Sequence, residues 1–456
     1  MQATAATSIS QLRDALKGRV IEPTDGGYDD ARALYFGGFD RRPDAIAMVA
    51  DASDVSTVIA VARESGLPLA VHGGGHSNAG HSVCEGGIVL HLGDMKRFEF
   101  DAQGRTAWAD AGLTAGEFTN AAGARGRAVG FGDGFLVGIA GLTLGGGIGL
   151  LSRKYGLTID ALRAADIVTA DGELVRADAR SHPDLFWAIR GGGGNFGVVT
   201  RFQFELFEVD RIVGGILVLP ATADVLTGLI DELDAASEDL TAIVNVTTAP
   251  PVPFIPADHH GKLVAMVNLV HLGTIPDGER AVAGLRSLAA PVADAVRPMR
   301  YPEIFPPQVA LRPLVAQHAR YLDAFDRLTA RTIVEHLQAS TAPARVAQLR
   351  VLRGAVARVP NDATAYAFRD RPIQLTIAAL FEKAQEAAEH QDWVGRFAAA
   401  LPKGRPGVYA NFMKDEGAAR VREAYPQPTW DRLVAVKRRY DPSNLFRLNQ
   451  NIPPAG

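Results

Sequence analysis

Residues Leu67 to Cys84 read LPLAVHGGGHSNAGHSVC. Leu69, Ala70 and Val71 make a short apolar strand, with Pro68 at its start, where a missing N–H is tolerated. Gly73, Gly74 and Gly75 follow, then His76, Ser77 and Asn78. A run of glycines lets successive backbone N–H groups turn to one side and line a concave anion site. Ser77 and Asn78 add side-chain donors. The stretch reads either as a cradle for a phosphate-bearing ligand or as a tight turn with incidental glycines.

The common Gly-rich fingerprints do not fit. GxGxxG leads from a strand into a helix whose N-terminus meets a pyrophosphate. Here the run leads through Gly86-Gly87 into a second strand, Ile88 to Leu92. No Gly-Lys-Ser/Thr ending marks a P-loop. Strand, Gly-rich loop and strand describe a different nucleotide cradle.

At 456 residues, two domains are expected, because single cores stop growing well before this size. The composition, 47% hydrophobic and 21% charged, is that of an ordinary globular protein. A net charge of −4 without a basic tail argues against nucleic acid or an anionic membrane as the main partner. The one cysteine, Cys84, excludes an intrachain disulfide. The N-terminal residues lack a basic segment followed by an apolar one, and no apolar run is long enough to span a bilayer. The expected location is therefore cytoplasmic. Ile9, Leu12, Leu16 and Val20 are spaced as one helical face, with Ser8 or Ser10 as caps.

Along the chain, a strand is expected at Ile46 to Val49. A helix follows with Val55, Val58, Ile59 and Ala62 on one face and Gly66 as its stop. Between 88 and 130 strands outnumber helices: Ile88–Leu92, Arg97–Phe100 and Thr106–Ala111, then a helix at Ala115–Ala124. An α+β layered domain fits better than a doubly wound one. A second Gly-rich block spans 131–166 and contains Gly145-Gly146-Gly147-Ile148-Gly149. A third spans 184–209, with a short helix from Asp184, a loop at Gly191–Gly194 and a strand over Gly197–Phe207. In that strand Val199, Arg201, Gln203 and Glu205 are placed on one face, and Val198, Phe202, Phe204 and Leu206 on the other.

After residue 210 the Gly runs stop. Strands at Ile216–Leu219, Thr241–Thr247, Leu263–Leu269, Gln348–Leu352 and Gln374–Ala379 alternate with helices at Ala223–Ala235, Gly278–Ala289, Tyr321–Gln338 and Ala384–Ala400. An antiparallel sheet with helices on one face is expected. The Pro-rich segment 249–262 reads as a loop, with His259-His260 solvated, and no metal site is expected. From Gly404 the texture changes again, through a helix at Thr429–Arg438 to the amide cluster Asn449, Gln450 and Asn451. Those amides suit a ligand rich in donors and acceptors, or a capped, solvated terminus.

Four blocks together resemble the vanillyl-alcohol-oxidase superfamily with its PCMH-type FAD-binding domain, and within it the bacterial berberine bridge enzyme-like branch. The first is Val71-His72-Gly73-Gly74-Gly75-His76-Ser77. The second runs from Val137 to Gly149 and on through Tyr155-Gly156-Leu157-Thr158 and Asp160. The third is Phe186 to Thr200. The fourth joins Tyr409-x-Asn411 to Asp441-Pro442, Asn444-x-Phe446 and Asn449-Gln450-Asn451-Ile452. They stand in the family's order and span nearly the whole chain.

The resemblance implies an FAD-linked oxidoreductase. Residues 1–208 and 404–456 would form the two-subdomain FAD-binding domain, and 209–403 the substrate-binding domain, an antiparallel sheet with flanking helices. His76 matches the histidine that carries FAD on its 8α-carbon. Gly134 stands where some relatives place a second, cysteinyl link, so a single covalent bond is expected. The remaining cofactor residues implied are His72, Gly73, Gly74, Gly75, Ser77, Asn78, His81 and Ser82 in the first block. Gly134, Val137, Gly138, Gly141, Thr143, Gly146, Gly147 and Gly149 follow in the second, and Val198, Tyr409, Asn411, Asn449 and Asn451 in the others. His72 departs from the family, which carries arginine there. Phe368, in Ala365–Arg369, replaces a histidine of many relatives.

Flavin oxidation removes a hydride and a heteroatom proton, so a base is needed near the ring. Tyr409 matches that base or hydrogen-bond partner, oriented by Asn411. A phenol with an ordinary pKa of about 10 needs nearby cations to act so, and Arg350, Arg369 and Lys414 are candidates. Gln348, Arg350 and Phe368 are candidates for substrate contact, with Arg350 favouring an anionic or carbonyl-bearing molecule. Val137 stands where a small side chain in relatives leaves room for O2. The implied enzyme is an FAD-linked oxidase acting on a small alcohol, sugar, amine or secondary metabolite, with O2 giving H2O2. A dehydrogenase with another acceptor and a non-catalytic flavin or ligand binder are the alternatives.

Overall fold

The computed structural model describes residues 2–305 and 311–455. Leu69–His72 forms the edge of a four-stranded sheet, beside Ile88–His91, then Ala45–Met48 and Arg19–Ile21. Leu69–His72 and Ala45–Met48 both run parallel to Ile88–His91, with His72 in register with His91. Parallel neighbours need a crossover, usually helical. Here the crossover is residues 73–87, which contain no helix. The Gly-rich loop therefore lies open at the carboxyl ends of the parallel strands, where α/β sheets bind ligands.

The helix Ala52–Ser65 is capped by Asp51, whose side chain accepts from the Ser53 and Asp54 N–H groups, and it ends at Gly66 with φ 70°. Val55, Val58, Ile59 and Ala62 are buried from it. The first helix spans Gln2–Ala15, so Ser8 and Ser10 lie within it and neither is its cap. Thr114 and Glu117 form a reciprocal capping box that starts the helix Ala115–Gly123.

A five-stranded antiparallel sheet follows, in the order Phe98–Phe100, Thr106–Asp110, Val198–Glu205, Leu162–Val168 and Leu174–Asp178. In its central strand Phe202 and Phe204 are fully buried, whereas Arg201, Gln203 and Glu205 face outward. Val199 is also buried, contrary to simple alternation. The register slips between Val199 and Arg201, and such a bulge turns one residue out of phase.

Residues 211–381 build an eight-stranded antiparallel sheet. Its central strands are Leu263–His271, Leu240–Thr248, Ala344–Val351 and Ile373–Phe381. The helices Ala223–Ala235, Ile275–Arg286, Arg327–Gln338 and Ala387–Ala400 pack on one face, over Val244, Val246, Leu349, Leu375 and Ile377. The strand Leu314–Leu322 pairs along its whole length with Ile373–Phe381. The helix expected from Tyr321 thus begins only at Arg327. Ala, Gln and Arg in that strand favour helix locally, and a full ladder of cross-strand bonds overrides the preference.

The C-terminal segment shares a core with the first half: Val408, Leu433, Val434 and Ile452 pack in one cluster with Leu144, Phe196 and Phe202. The helix Gln427–Tyr440 carries Lys437 into that core. Lys437 and Asp441 are both fully buried and 2.7 Å apart. Lys437 Nζ also donates to the carbonyls of Asn195 and Phe446, and Asp441 accepts from the N–H groups of Leu445 and Phe446. Burial pushes the lysine pKa down against this pairing. Removing one partner leaves a buried unpaired charge, at a cost of about 3–5 kcal/mol. Lys437→Met is therefore expected to lower the unfolding free energy by that order, with Lys437→Met/Asp441→Leu less damaging than the single change. Denaturant midpoints of the three proteins check it.

Candidate functional site

The Gly-rich blocks meet backbone to backbone. A side-chain carbon at Gly74 would stand 2.4 Å from the Gly138 nitrogen, so no larger residue fits. The N–H groups of Gly191 and Gly193 both donate to the Leu144 carbonyl, which binds the third block to the second. The Asn195 amide donates to the carbonyls of Gly192 and Gln450 and accepts from the Ile452 N–H, which fastens the tail to the third block. A cavity of about 570 Å³ lies between these blocks and the eight-stranded sheet.

His76 stands on its wall, with Gly73–Gly75, Ser77, Asn78, His81 and Ser82 of the same loop. Tyr35 stacks on the His76 ring at 3.9 Å between centroids, and its N–H donates to the Gly75 carbonyl. Burial pushes the His76 pKa down to about 4, so the imidazole is neutral at pH 7. Gly134, Val137, Gly138, Gly141, Val198, Tyr409, Asn411 and Asn449 also line the cavity.

Other expected residues stand behind the wall. His72 is buried beneath the loop and stacked on His91, 4.2 Å between centroids. Burial, then the neighbouring His91, holds its pKa near 3. A neutral ring pair thus sits where the family's arginine would put a fixed charge. Thr143, Gly146, Gly147, Gly149 and Asn451 do not line the cavity, and Gly147 reaches it only through its N–H bond to Tyr409. Phe368 does not reach the cavity. It packs against Tyr321 in an apolar cluster with Tyr366. Cys84 is buried, its thiol donates to the Gly86 carbonyl, and burial pushes its pKa up to about 12.

The Tyr409 oxygen accepts from the Gly147 N–H at 2.8 Å and from the Asn411 amide at 2.9 Å. Both donors lower its pKa, as does the Arg350 charge, but burial is the larger effect and raises it to about 12. The expected help from Arg369 and Lys414 is absent. Arg369 forms a two-pronged pair with Asp160, and Lys414 donates to the Val315 carbonyl.

The roof follows from strand alternation. Where Leu349, Leu375 and Ile377 face the helices, Gln348, Arg350, Gln374 and Thr376 face the other way. Cross-strand register puts Arg350 opposite Gln374, and Gln348 opposite both Thr376 and Asn245. Arg350 Nη2 lies 3.0 Å from Asp133 Oδ2, Nη1 donates to Gln374, and the guanidinium lies 4.8 Å from the Phe412 ring centre. Gln348 donates to Asp133 and Asn245. The carboxylate facing Arg350 is thus the chain's own, which removes the basis for expecting an anionic substrate there. Asp133, Tyr35, Gln317 and Thr376 were not among the residues singled out from sequence. Asp133 is the acidic residue within FGDGF, and Thr376 shares the two-residue period of Gln348 and Arg350. Tyr35 and Gln317, which accepts from Asn78, carry no local signal.

The side-chain oxygens of Asn78 and Asn449 and the Nε2 of His81 are buried without partners among the described residues. All three residues line the cavity. Unpaired buried polar atoms around a Gly-walled cleft fit a large polar ligand with phosphate and heterocyclic edges.

Comparison with known proteins gives that ligand a name. An FAD binding domain family matches residues 43–178, and a "Berberine and berberine like" family matches 408–453. (R)-6-hydroxynicotine oxidase of Paenarthrobacter nicotinovorans is 31% identical over 477 aligned positions, covering 100% of both chains. An uncharacterised FAD-linked oxidoreductase of Bacillus subtilis, YgaK, is 28% identical over 96% of this chain and 97% of its own. The crystal structure of 6-hydroxy-D-nicotine oxidase from Arthrobacter nicotinovorans superposes with a TM-score of 0.85 at 30% identity, over 96% of this chain and 98% of that one. Xylooligosaccharide oxidase from Myceliophthora thermophila C1 shares the fold, with a TM-score of 0.86 at 22% identity over 99% and 100% of the two chains. The chain belongs to the berberine bridge enzyme-like branch of the vanillyl-alcohol-oxidase superfamily and is an FAD-linked oxidoreductase. No helix among the described residues is long and apolar enough to cross a membrane.

The stacked His72 and His91 rings have their pKa values lowered to about 3 and about 4 by burial. Unfolded, each protonates near 6.5, so the unfolded chain binds more protons as pH falls from 6.5 towards 4. Stability is therefore complete above pH 6.5 and is lost below it, by about 1.4 kcal/mol per pH unit for each ring. Urea midpoints at pH 7 and pH 5 are expected to differ accordingly. A His72→Gln/His91→Gln protein should show a shallower pH dependence.

Proposed function

From that membership we propose that the chain is an oxidase. It takes a hydride from a small organic molecule, an alcohol, sugar, amine or secondary metabolite, into FAD carried covalently by His76, and uses O2 to form H2O2. The observation that supports this best is the meeting of His76, Val137 and Tyr409, from three separate blocks, on one cavity wall. Bound there, the flavin supplies the two-electron acceptor.

The chain's own residues supply the rest. Gly73–Gly75, Ser77, Asn78, His81 and Ser82 would hold the pyrophosphate with backbone and side-chain donors. Asn449 offers a free amide oxygen to the ring system. His76 is neutral, with a ring-nitrogen lone pair available for alkylation, and the Tyr35 face holds its plane. Gly134 provides no thiol for a second link. Tyr409 takes the substrate's heteroatom proton, because the Gly147 N–H and the Asn411 amide are already aimed at its oxygen and stabilise the phenolate. Val137, on the cavity wall, would leave room for O2. The eight-stranded sheet closes the cavity opposite, with Gln348 and Arg350 facing the substrate.

Acid precipitation is expected to leave the yellow colour in the protein pellet, and His76→Ala should release it to the supernatant. An acid-soluble flavin in the unmodified protein would remove the covalent link. Anaerobically reduced enzyme mixed with air should reoxidise rapidly, and Val137→Leu should slow this. Reoxidation over many minutes in the unmodified protein would assign a dehydrogenase instead. Tyr409→Phe should lower kcat by roughly 10²–10⁴-fold. Because burial holds the phenol pKa near 12, the ionised fraction, and with it kcat/KM, should rise about tenfold per pH unit in the alkaline range.

A further inference from the structure

We propose that Asp133 decides the substrate class: it fills the guanidinium of Arg350 from within, excludes carboxylate-bearing molecules, and accepts a hydrogen bond from an uncharged substrate's O–H or N–H group. The inference rests on the cavity being the substrate site of the oxidase proposed above. Arg350, 4% exposed, is the cation that the roof turns into the cavity beside Gln348 and Thr376. Left alone it would be a strong site for a carboxylate, which a guanidinium binds with paired donors. Asp133 takes that place, with Oδ2 receiving Arg350 Nη2 at 3.0 Å and Gln348 Nε2 at 3.2 Å. The Arg350 Nη1 is spent on Gln374 at 3.1 Å, and the flat face of the guanidinium lies over Phe412. An incoming anion would find both Nη atoms engaged, only the buried Nε without a partner among the described residues, and a carboxylate beside them. Its own charge would then be desolvated without a counterion.

Asp133 itself is not spent. Its side chain is 31% exposed, and among the described residues Oδ1 receives no hydrogen bond. That oxygen belongs to a residue of the cavity wall. Around the pair, Gln348 bonds Asn245 on one side, and Arg350 bonds Gln374, which bonds Thr376, on the other, so the groups flanking the charges are amides and a hydroxyl. The patch carries opposite charges that cancel and presents an acceptor. Its match is a hydroxyl or a neutral N–H group, and a carboxylate is its opposite. The pair also joins the two halves of the site, because Asp133 lies in the second Gly-rich block and Arg350 in the sheet above it.

Asp133→Ala removes a carboxylate group, so acetate, a small carboxylate, serves as the probe. Calorimetric titration of the purified holoprotein is expected to show no acetate binding in the unmodified chain. Asp133→Ala should bind acetate at least roughly tenfold more tightly, and Asp133→Ala/Arg350→Met should lose that binding. Asp133→Asn, which keeps the volume and removes the charge, covers the case in which the alanine protein does not fold; it should gain inhibition by benzoate by a similar factor, against any substrate found in a peroxide screen. Equal acetate binding by the unmodified and alanine proteins would overturn the proposal. So would a folded Asp133→Ala protein without acetate affinity. The titration needs no turnover, so a protein that gains the acetate site but gives no peroxide would refute the oxidase reading and leave the Asp133–Arg350 relation standing.

Discussion

The site depends on a steric constraint, the passage of one backbone across another at Gly74 and Gly138. With no side chain between them, the first loop lies flush on the second block, and the two residues that follow and precede that crossing are fixed together. His76 lies two residues beyond Gly74, and Val137 directly before Gly138. Their shared wall is therefore set by backbone contact and not by flexible side chains. The same logic recurs at Gly145, where a side-chain carbon would stand 2.1 Å from the Asn411 oxygen. Asn411 can then reach the Tyr409 hydroxyl only because Gly145 offers it space.

The second organising feature is the way charge is removed from the interior. His72, His76 and His91 are held neutral by burial, and Lys437 is matched by Asp441 where the tail meets the third block. Arg369 is matched by Asp160 and Arg350 by Asp133. The cleft is consequently polar with few uncompensated charges. Its donors and acceptors are backbone N–H groups, amides and hydroxyls. Such an interior holds a large polar cofactor by many directed bonds, and it leaves discrimination among substrates to the few groups at the roof.

The roof shows how a strand divides labour between its faces. Ala347, Leu349, Val351, Ile373, Leu375 and Ile377 contribute to an apolar core under the helices, and the intervening Gln348, Arg350, Gln374 and Thr376 build the polar ceiling. A slip of one residue in either strand would exchange the two sets. The packing under the helices therefore fixes where Gln348, Arg350 and Thr376 point.

The Gly-rich blocks, their order and the helix stop at Gly66 were legible in the chain, because backbone conformation is local and glycine marks it. So were the β-strand periods that put Gln348 and Arg350 on one face. Which partner those side chains meet was not legible. Asp133 lies far from Arg350 in sequence, so only the docking of the sheet on the second block brings carboxylate to guanidinium and changes what the arginine can bind. The reading of Tyr409 changed for the same reason: burial raises its pKa, while Arg369 and Lys414 are held elsewhere. The misplacement of Phe368, the unexpected strand at Leu314–Leu322 and the stacking of Tyr35 on His76 share that cause. Each depends on long-range packing, which overrides local preference and which spacing along the chain does not encode.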